Sequence, residues 1–203
     1  GDVDARYSTA PRQKASQTSS AAYFQNVTSL SEAWALTLGV RSQRLEQDAH
    51  QDAYPPWFSP AVDGSATRRR NAWDLGASYS GQGWRAYGKA GTTFRFPNTD
   101  ELFGFSAILG VPVFAGDLKP QHGTIIELGG SFALGPLQGR ASLYRMRLED
   151  EIGYDGASGS NVNFDPTRRQ GFEAELDWRI VERLKVKLAY AWTDAEFRDG
   201  PYD

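Results

Sequence analysis

The chain has 203 residues, of which 40% are apolar and 13% aromatic, and this composition excludes a disordered protein. Its 22 basic and 25 acidic residues give a net charge of −3, which argues against nucleic acid or another polyanion as a partner. The chain has no cysteine, so a disulfide framework, a thiolate nucleophile and a cysteine-based zinc site are excluded.

Apolar residues recur with period two along most of the chain, which predicts β-strands rather than helices. The clearest case is residues 172–180, where every apolar side chain alternates with a charged one. The same sorting assigns Tyr144, Met146 and Leu148 to the apolar face of their strand. The pattern predicts eight strands, near residues 15–27, 32–48, 68–80, 84–96, 121–133, 138–152, 164–180 and 184–197.

The predicted connections alternate between short turns and long loops. The short turns lie at residues 28–31, 81–83, 134–137 and 181–183. The long loops, rich in Gly, Pro, Ser and Asp, cover residues 49–67, 97–120 and 153–163. This alternation predicts an antiparallel meander with all short turns at one end. Most of the strands exceed the roughly 9–11 residues that a tilted strand needs to cross a bilayer, whereas strands of soluble sheets usually have about five or six.

The tryptophans are placed as in a transmembrane β-barrel. Trp34, Trp84 and Trp178 lie on the apolar face beside the short turns, and Trp73 and Trp192 lie on that face nearer the long loops. This arrangement resembles two aromatic girdles around an apolar band. The opposite face carries too many charges for a dry core, which indicates a wet lumen. Its charged residues are Arg41, Glu127, Arg145, Glu173, Glu175, Asp177, Lys185 and Lys187.

The fold expected from these patterns is all-β, an antiparallel meander of about eight long strands that forms part of a larger transmembrane β-barrel. The alternative is a soluble β-barrel or β-sandwich that binds a ligand, because alternation alone does not separate one lipid-exposed face from one solvated face. The two differ in whether the apolar face is bare or covered.

Several motifs occur in a characteristic order. Residues 94–102 read FRFPNTDEL, residues 116–121 read GDLKPQ, and ELG follows at 127–129. Further on, residues 168–173 read RRQGFE and residues 189–195 read AYAWTDA. Together they resemble the barrel of TonB-dependent outer-membrane receptors, which carry an F-R-x-P-x-x-x-E-L stretch followed by an L-K-P element. The resemblance spans roughly residues 15–200, and the paired elements are fairly specific.

The resemblance implies a location in the Gram-negative outer membrane and energy-dependent uptake of a scarce nutrient, most often a ferric siderophore. Family barrels have on the order of 22 strands around a plug, so residues 1–203 are expected to be an internal piece, about the third quarter, without the plug domain and terminal strands. Such a piece does not transport alone. Its expected partners are a ferric chelate and outer-membrane lipid, with the TonB complex reached only through the plug domain. Residues 98–119 contain no histidine, which argues weakly against haem.

Other motifs in the sequence, which were considered as signs of an enzyme, do not indicate one. Residues 81–86 match the dinucleotide pattern G-x-G-x-x-A, but residues 87–93 are poor helix material. His50 and His122 have no nucleophile motif beside them. We therefore expect no catalytic residue, no metal site and no cofactor.

Two groups of charged residues leave their role open. Glu173 and Glu175 are expected to form lumenal ion pairs with Lys185 and Lys187 rather than to catalyse a reaction. The arginine runs 68–70 and 168–169 lie where strands descend from long loops. They either bind anionic lipid headgroups or an anionic ligand, or are solvated loop ends.

The long loops contain the candidate binding residues. Their aromatic side chains offer stacking surfaces that suit a large chelate, or alternatively pin neighbouring loops together. These are Tyr54, Trp57, Phe58, Phe103, Phe105 and Phe114. Arg95 is a further candidate for ligand contact. It lies at the lumenal base of the loop that contains residues 98–119, where Asp100, Glu101 or Asp117 offers it a carboxylate. That loop is too apolar to remain solvated, so we expect it to fold over the mouth of the barrel, to insert into it, or to bind a ligand.

Overall fold

Eight long antiparallel strands form one sheet in the computed structural model, which describes residues 12–53, 59–106 and 110–198. Strands are numbered along the chain together with two short hairpins. In sheet order the long strands are β1 (Gln13–Ser29), β2 (Trp34–Gln51), β3 (Val62–Gly81), β4 (Trp84–Arg95), β7 (Gln121–Leu134), β8 (Leu137–Glu149), β11 (Thr167–Val181) and β12 (Leu184–Phe197). Each long strand pairs with the next long strand in sequence, so the predicted meander is confirmed.

The two hairpins lie inside loops that the sequence predicted to be irregular. A short 3-10 helix, Asp100–Leu102, precedes β5 (Phe103–Ser106), which pairs with β6 (Val111–Phe114). The second hairpin joins β9 (Glu151–Asp155) to β10 (Ser160–Phe164). The predicted strand 138–152 is interrupted because Asp150 has a positive φ of 54°. No helix in the described ranges is long and apolar enough to cross a membrane.

Strands β2 and β3 continue well beyond their predicted ends at the long loop. The sequence predicted a loop at residues 49–67, whereas the ladder runs without a break to the pair Gln51 and Val62. Hydropathy did not reveal this extension because its outward positions are polar, among them His50, Asp63 and Ser65. The extension forms a wall that rises above the apolar part of the sheet.

One face of the sheet, called here the outward face, carries large apolar side chains that no other described element covers. The outward tryptophans are each between 46% and 49% exposed. They are Trp34, Trp73, Trp84, Trp178 and Trp192. Leu38, Leu128 and Leu188 are similarly exposed on the same face. A soluble sandwich would bury this surface, so the exposed face agrees with a sheet that meets lipid.

The border of this apolar band slants across the sheet. The row of paired residues that starts at Leu38 on β2 ends at Asp194 on β12, so one row is apolar at one side and polar at the other. The last apolar outward residue is Val40 on β2 but Trp192 on β12, a shift of four residues or about 13 Å along the strand. Tilted strands of a transmembrane barrel produce such a slant.

The opposite, inward face is polar, and several of its charges are paired. Arg140 Nη2 lies 2.6 Å from Glu175 Oε1, and Lys187 Nζ lies 3.9 Å from carboxylate oxygens of both Glu175 and Asp177. On β4 and β7, Lys89 Nζ lies 2.9 Å from Glu127 Oε2. Of the predicted lumenal ion pairs, Glu175 with Lys187 is present, although Arg140 is the nearer partner of Glu175. Within the described residues, neither Glu173 nor Lys185 forms the ion pair that was expected of it.

The facing predicted for β8 is wrong. Arg145 is paired with Ile126 on the outward face, so Tyr144, Met146 and Leu148 face inward. The Tyr144 hydroxyl lies 2.8 Å from Thr193 Oγ1 on the inward face. Leu148 is buried. The hydropathy pattern inverts at this end of β8 because the strand has left the apolar band, so its outward positions are polar while its inward positions pack under the loops.

Candidate functional site

The segment between β4 and β7, residues 96–120, is called here the cover. Its described residues, 96–106 and 110–120, fold over the inward face of β2 and β3 at their loop ends. Its Leu102 is fully buried, and Phe96, Ala115 and Leu118 are at most 9% exposed. All the buried apolar residues of the described chain lie at this loop end of the sheet. The apolar loop therefore folds over the mouth, which is one of the outcomes that its sequence left open.

Arg68 of β3 holds the second half of the cover to the inward face of the sheet. Its Nε donates to the Leu118 carbonyl at 3.0 Å and its Nη2 to the Gly116 carbonyl at 3.1 Å. Its Nη1 donates to Gln47 Oε1 at 2.9 Å, and Gln47 Nε2 donates to the Pro97 carbonyl at 2.8 Å. Arg68 is only 8% exposed. The expectation of a solvated loop end is wrong for this residue, because a segment about fifty residues away in sequence covers it.

Arg95 holds the first half of the cover. Its Nη1 donates to both carboxylate oxygens of Glu101, at 3.0 and 2.9 Å, and its Nη2 donates to the Ile152 carbonyl at 3.2 Å. Glu101 Oε2 also accepts a hydrogen bond of 2.7 Å from the backbone N–H of Asn98. Of the three carboxylates that the sequence offered to Arg95, the structure pairs it with Glu101. Arg95 therefore joins the cover to the hairpin β9–β10.

Asn163 ties the hairpin β9–β10 to the end of the cover. Its Oδ1 accepts from the Lys119 N–H at 2.8 Å, while its Nδ2 donates to the Lys119 carbonyl at 3.0 Å and to the Asp150 carbonyl at 2.9 Å. Ile152 packs with Ala115 and Leu118 in a buried cluster. The two loops thus form one packed unit above the sheet.

The turn of the hairpin β9–β10 is closed by its own polar groups. Hydrogen bonds from Ser158, and then from the backbone N–H of Ala157, lower the pKa of Asp155. Ala157 N lies 3.1 Å from Asp155 Oδ1. Within the described ranges, no three His, Asp or Glu side chains are grouped so that they could hold a metal ion.

Two of the aromatic candidates lie at the base of the hairpin β5–β6. Phe103 and Phe114 face each other in its ladder and are both partly buried. The ring of Phe114 lies directly against Gly64 of β3, where any side chain would collide with it. Phe114 therefore fixes the hairpin to the wall, and Phe103 lies beside it.

The remaining candidates cannot be placed. Tyr54, Trp57 and Phe58 lie outside the described residues, as does the side chain of Phe105. Tyr154 of β9 is 67% exposed and was missed, although it belongs to the same kind of loop aromatic that selected the others. Arg68 and Gln47 were also missed as attachment points.

The site is thus a partly apolar surface formed by two packed loops above the polar inward face of the sheet. Aromatic rings on such a surface can stack on a large planar or chelated ligand, while the guanidinium groups of Arg68 and Arg95 hold the loops in position. Each nitrogen of both guanidinium groups already donates a hydrogen bond to an oxygen of the protein.

Comparisons with known proteins identify relatives for the whole chain. Residues 1–203 match the family described as TonB dependent receptor-like, beta-barrel. Over 84 residues the chain is 32% identical to the ferric-pyoverdine M114 receptor PbuA of Pseudomonas sp. (strain M114), a match that covers 39% of this chain and 10% of that receptor.

Solved structures share the fold. The copper transporter OprC superposes with a TM-score of 0.76 at 22% identity, covering 91% of this chain and 29% of that one. The ferric-catecholate import receptor Fiu from Escherichia coli K12 gives 0.72 at 18% identity, with 93% and 29% covered. The chain therefore spans less than a third of the length of these relatives, and the structural likeness concerns the fold alone.

Proposed function

The chain belongs to the TonB-dependent receptor β-barrel family, and from this premise we propose that it forms part of the wall and extracellular mouth of a receptor that takes up a ferric siderophore. The family is one of transport receptors and its members are β-barrels of the Gram-negative outer membrane. The soluble binding module is not favoured, because the family match extends over residues 1–203. We propose that these residues belong to the barrel domain and that coupling to the TonB complex occurs through a plug domain.

The cover is the observation that supports this function most directly. An apolar segment is tied at both ends by Arg68 and Arg95, above a lumen lined with ion pairs. A barrel wall needs no such loop for its own ladder, since residues 96–120 lie between the paired strands β4 and β7. An aromatic surface held rigidly at the mouth is suited to capture a large ligand before it enters the lumen.

The nature of the ligand follows from the relatives and from the composition of the site. PbuA is named as a ferric-pyoverdine receptor, and Fiu as a ferric-catecholate import receptor. Both names specify ferric iron in an organic chelate. We propose that the loop aromatics contact such a chelate, namely Tyr54, Trp57, Phe58, Phe103, Phe105, Phe114 and Tyr154. Arg95 acts as a positioning residue, because its donors are already occupied by Glu101 and Ile152.

Binding of iron chelates to the complete receptor tests the proposal. Purified receptor that contains this chain would be titrated with ferric pyoverdine, a ferric catecholate and a copper salt, with apo-siderophore as the control. We expect saturable binding of at least one ferric chelate and none of the copper salt. Binding of copper alone, or of no ferric chelate although the barrel is folded, would contradict the proposed function.

A further inference from the structure

Arginines occur in directly opposed pairs on the outward face, beyond the apolar band. Arg44 of β2 is the register partner of Arg69 of β3, and Arg147 of β8 is the partner of Arg168 of β11. We call these the opposed arginine pairs. Opposed residues on one face have Cβ atoms about 4.5–5.5 Å apart, and like charges in this position are destabilising. An arrangement that costs stability in two places calls for a counter-charge.

The opposed arginine pairs lie at the same distance from the apolar band. Each arginine is four residues, or about 13 Å along the strand, beyond the last apolar outward residue of its own strand. Those residues are Val40, Trp73, Leu143 and Phe172.

The sheet register does not explain this common distance. Arg145 lies in the same row of paired residues across the sheet as Leu38. Arg147 is two residues beyond that row, whereas Arg44 is six residues beyond it. The arginines therefore follow the slanted border of the apolar band rather than a row of hydrogen bonds. A common height above the band is what contact with a membrane surface would select.

The acidic neighbours neutralise these arginines only in part. Arg44 Nη2 lies 2.7 Å from Glu46 Oε1, and Arg147 Nε lies 3.5 Å from Glu149 Oε1. Arg168 pairs with Glu196. Arg69 has only the Ser42 hydroxyl, at 3.3 Å, and the neighbouring Arg145 has no ion-pair partner within the part of the chain that the structure describes.

The exposed members of the pairs can reach an external anion. The side chains of Arg44 and Arg147 are each 59% exposed. A strand tilted by about 40° rises about 10 Å over four residues. The headgroup layer extends about 5–8 Å beyond the hydrocarbon core, and the long arginine side chain can bend down into it. The guanidinium groups thus lie within reach of the headgroups.

We propose that the opposed arginine pairs bind the phosphate groups of lipid headgroups in the outer leaflet of the membrane. A phosphate between two guanidinium groups accepts charge-assisted, often bidentate hydrogen bonds from both and removes their repulsion. The outer leaflet of the Gram-negative outer membrane is built on lipid A, which carries phosphate groups at this level. The proposal depends on the membrane placement of the sheet and not on which chelate the receptor binds.

Binding of lipid A to the purified full-length receptor in non-ionic detergent tests the proposal. The probes are bisphosphorylated lipid A and the same lipid with its phosphates removed, and binding is measured by native mass spectrometry. The test variant is R69Q/R147Q, which removes one exposed guanidinium from each pair and leaves Arg168 with Glu196. The control variant is R41Q/R85Q, which removes two exposed arginines from the inward face.

We expect the wild type and R41Q/R85Q to bind the phosphorylated lipid at least about tenfold more tightly than the phosphate-free lipid. In R69Q/R147Q this preference should largely disappear, while the barrel still migrates as a folded species on gels. Equal affinities of the wild type for the two lipids would overturn the proposal. So would a preference that persists in R69Q/R147Q, or displacement of the lipid by excess inorganic phosphate, which would assign the arginines to free anions.

Discussion

Replacing Arg68 by methionine should loosen the cover without unfolding the barrel. Methionine fills a similar volume but donates no hydrogen bond, so the carbonyls of Gly116 and Leu118 and the amide of Gln47 lose their donor. Hydrogen bonds to a charged group contribute about 1.5–3 kcal/mol each. At the lower value, three such bonds together contribute about 4.5 kcal/mol. Water at the edge of the cover will replace part of this, so we expect a loss of about 2–3 kcal/mol.

Amide hydrogen exchange in the intact receptor measures this loss directly. The N–H of Ala115 donates to the Leu102 carbonyl at 2.8 Å and therefore exchanges only when the cover opens. A loss of about 2–3 kcal/mol corresponds to exchange that is about 30- to 150-fold faster. Peptides from β7 and β8, which lie in the sheet, should be unchanged.

Arg69→Met is the matched control for this experiment. It lies next to Arg68 on the same strand, but its side chain is on the outward face, where it donates hydrogen bonds to Ser42 and none to the described residues of the cover. We expect exchange in residues 96–120 of this variant to remain within about threefold of the wild type. Equal protection of the cover in Arg68→Met and Arg69→Met would refute the conclusion that Arg68 holds it.

Three other outcomes are expected. Brominated lipid should quench the fluorescence of the outward tryptophans in the full-length protein, and each Trp→Phe change should remove part of that quenching. Outward tryptophans that are not quenched would contradict their assignment to the lipid-exposed face. His50, about ten residues beyond the apolar band, has its pKa raised by hydrogen bonds with Asp63 and then Asp52. The attraction between protonated His50 and these carboxylates therefore stabilises the β2–β3 hairpin at low pH and is lost as the pH rises through the raised pKa of His50. NMR titration should show a lower His50 pKa in Asp63→Asn than in the wild type. An equal pKa in the two proteins would exclude this cause. Gly171→Ala places a methyl group 2.6 Å from the Tyr144 ring, so chemical unfolding should show a loss of about 1–3 kcal/mol, whereas Gly156→Ala, with open space around it, should be neutral.

The strands and their facing were largely predictable because lipid imposes a simple alternation. Residues 172–180 alternate apolar and charged side chains, and the structure places Leu176 and Trp178 on the outward face. The rule failed on β8 beyond Leu143, where Arg145 is outward and Leu148 is buried inward. The alternation of apolar and polar side chains reflects the polarity of the surroundings on each face, and the outward surroundings become polar where the strand leaves the membrane. The sequence alone does not show at which residue the strand leaves the membrane.

The site was less predictable because it depends on contacts between distant segments. The FRFP and LKP motifs identified the family, and the carboxylates near Arg95 indicated an anchor. Nothing in the run of arginines at 68–70 separates Arg68, buried under the cover, from Arg69, exposed on the other face, except the period of two. The hairpins β5–β6 and β9–β10 are four or five residues per strand, too short for a periodic signal. In the sequence, the only sign of each hairpin is the glycine of its turn, Gly110 or Gly159, whose φ is 67° or 70°.

Deleting residues Phe103–Phe114 from the complete receptor tests most directly whether the cover captures the ligand. The deleted residues lie outside the ladder of the eight-stranded sheet, so the barrel should still assemble. Titration of purified wild-type and deleted receptor with the ferric chelate that the wild type binds would then measure the contribution of the cover. We predict affinity at least about tenfold weaker in the deletion, about 1.4 kcal/mol. Unchanged affinity in a folded barrel would contradict a role in binding and reduce the cover to a structural element.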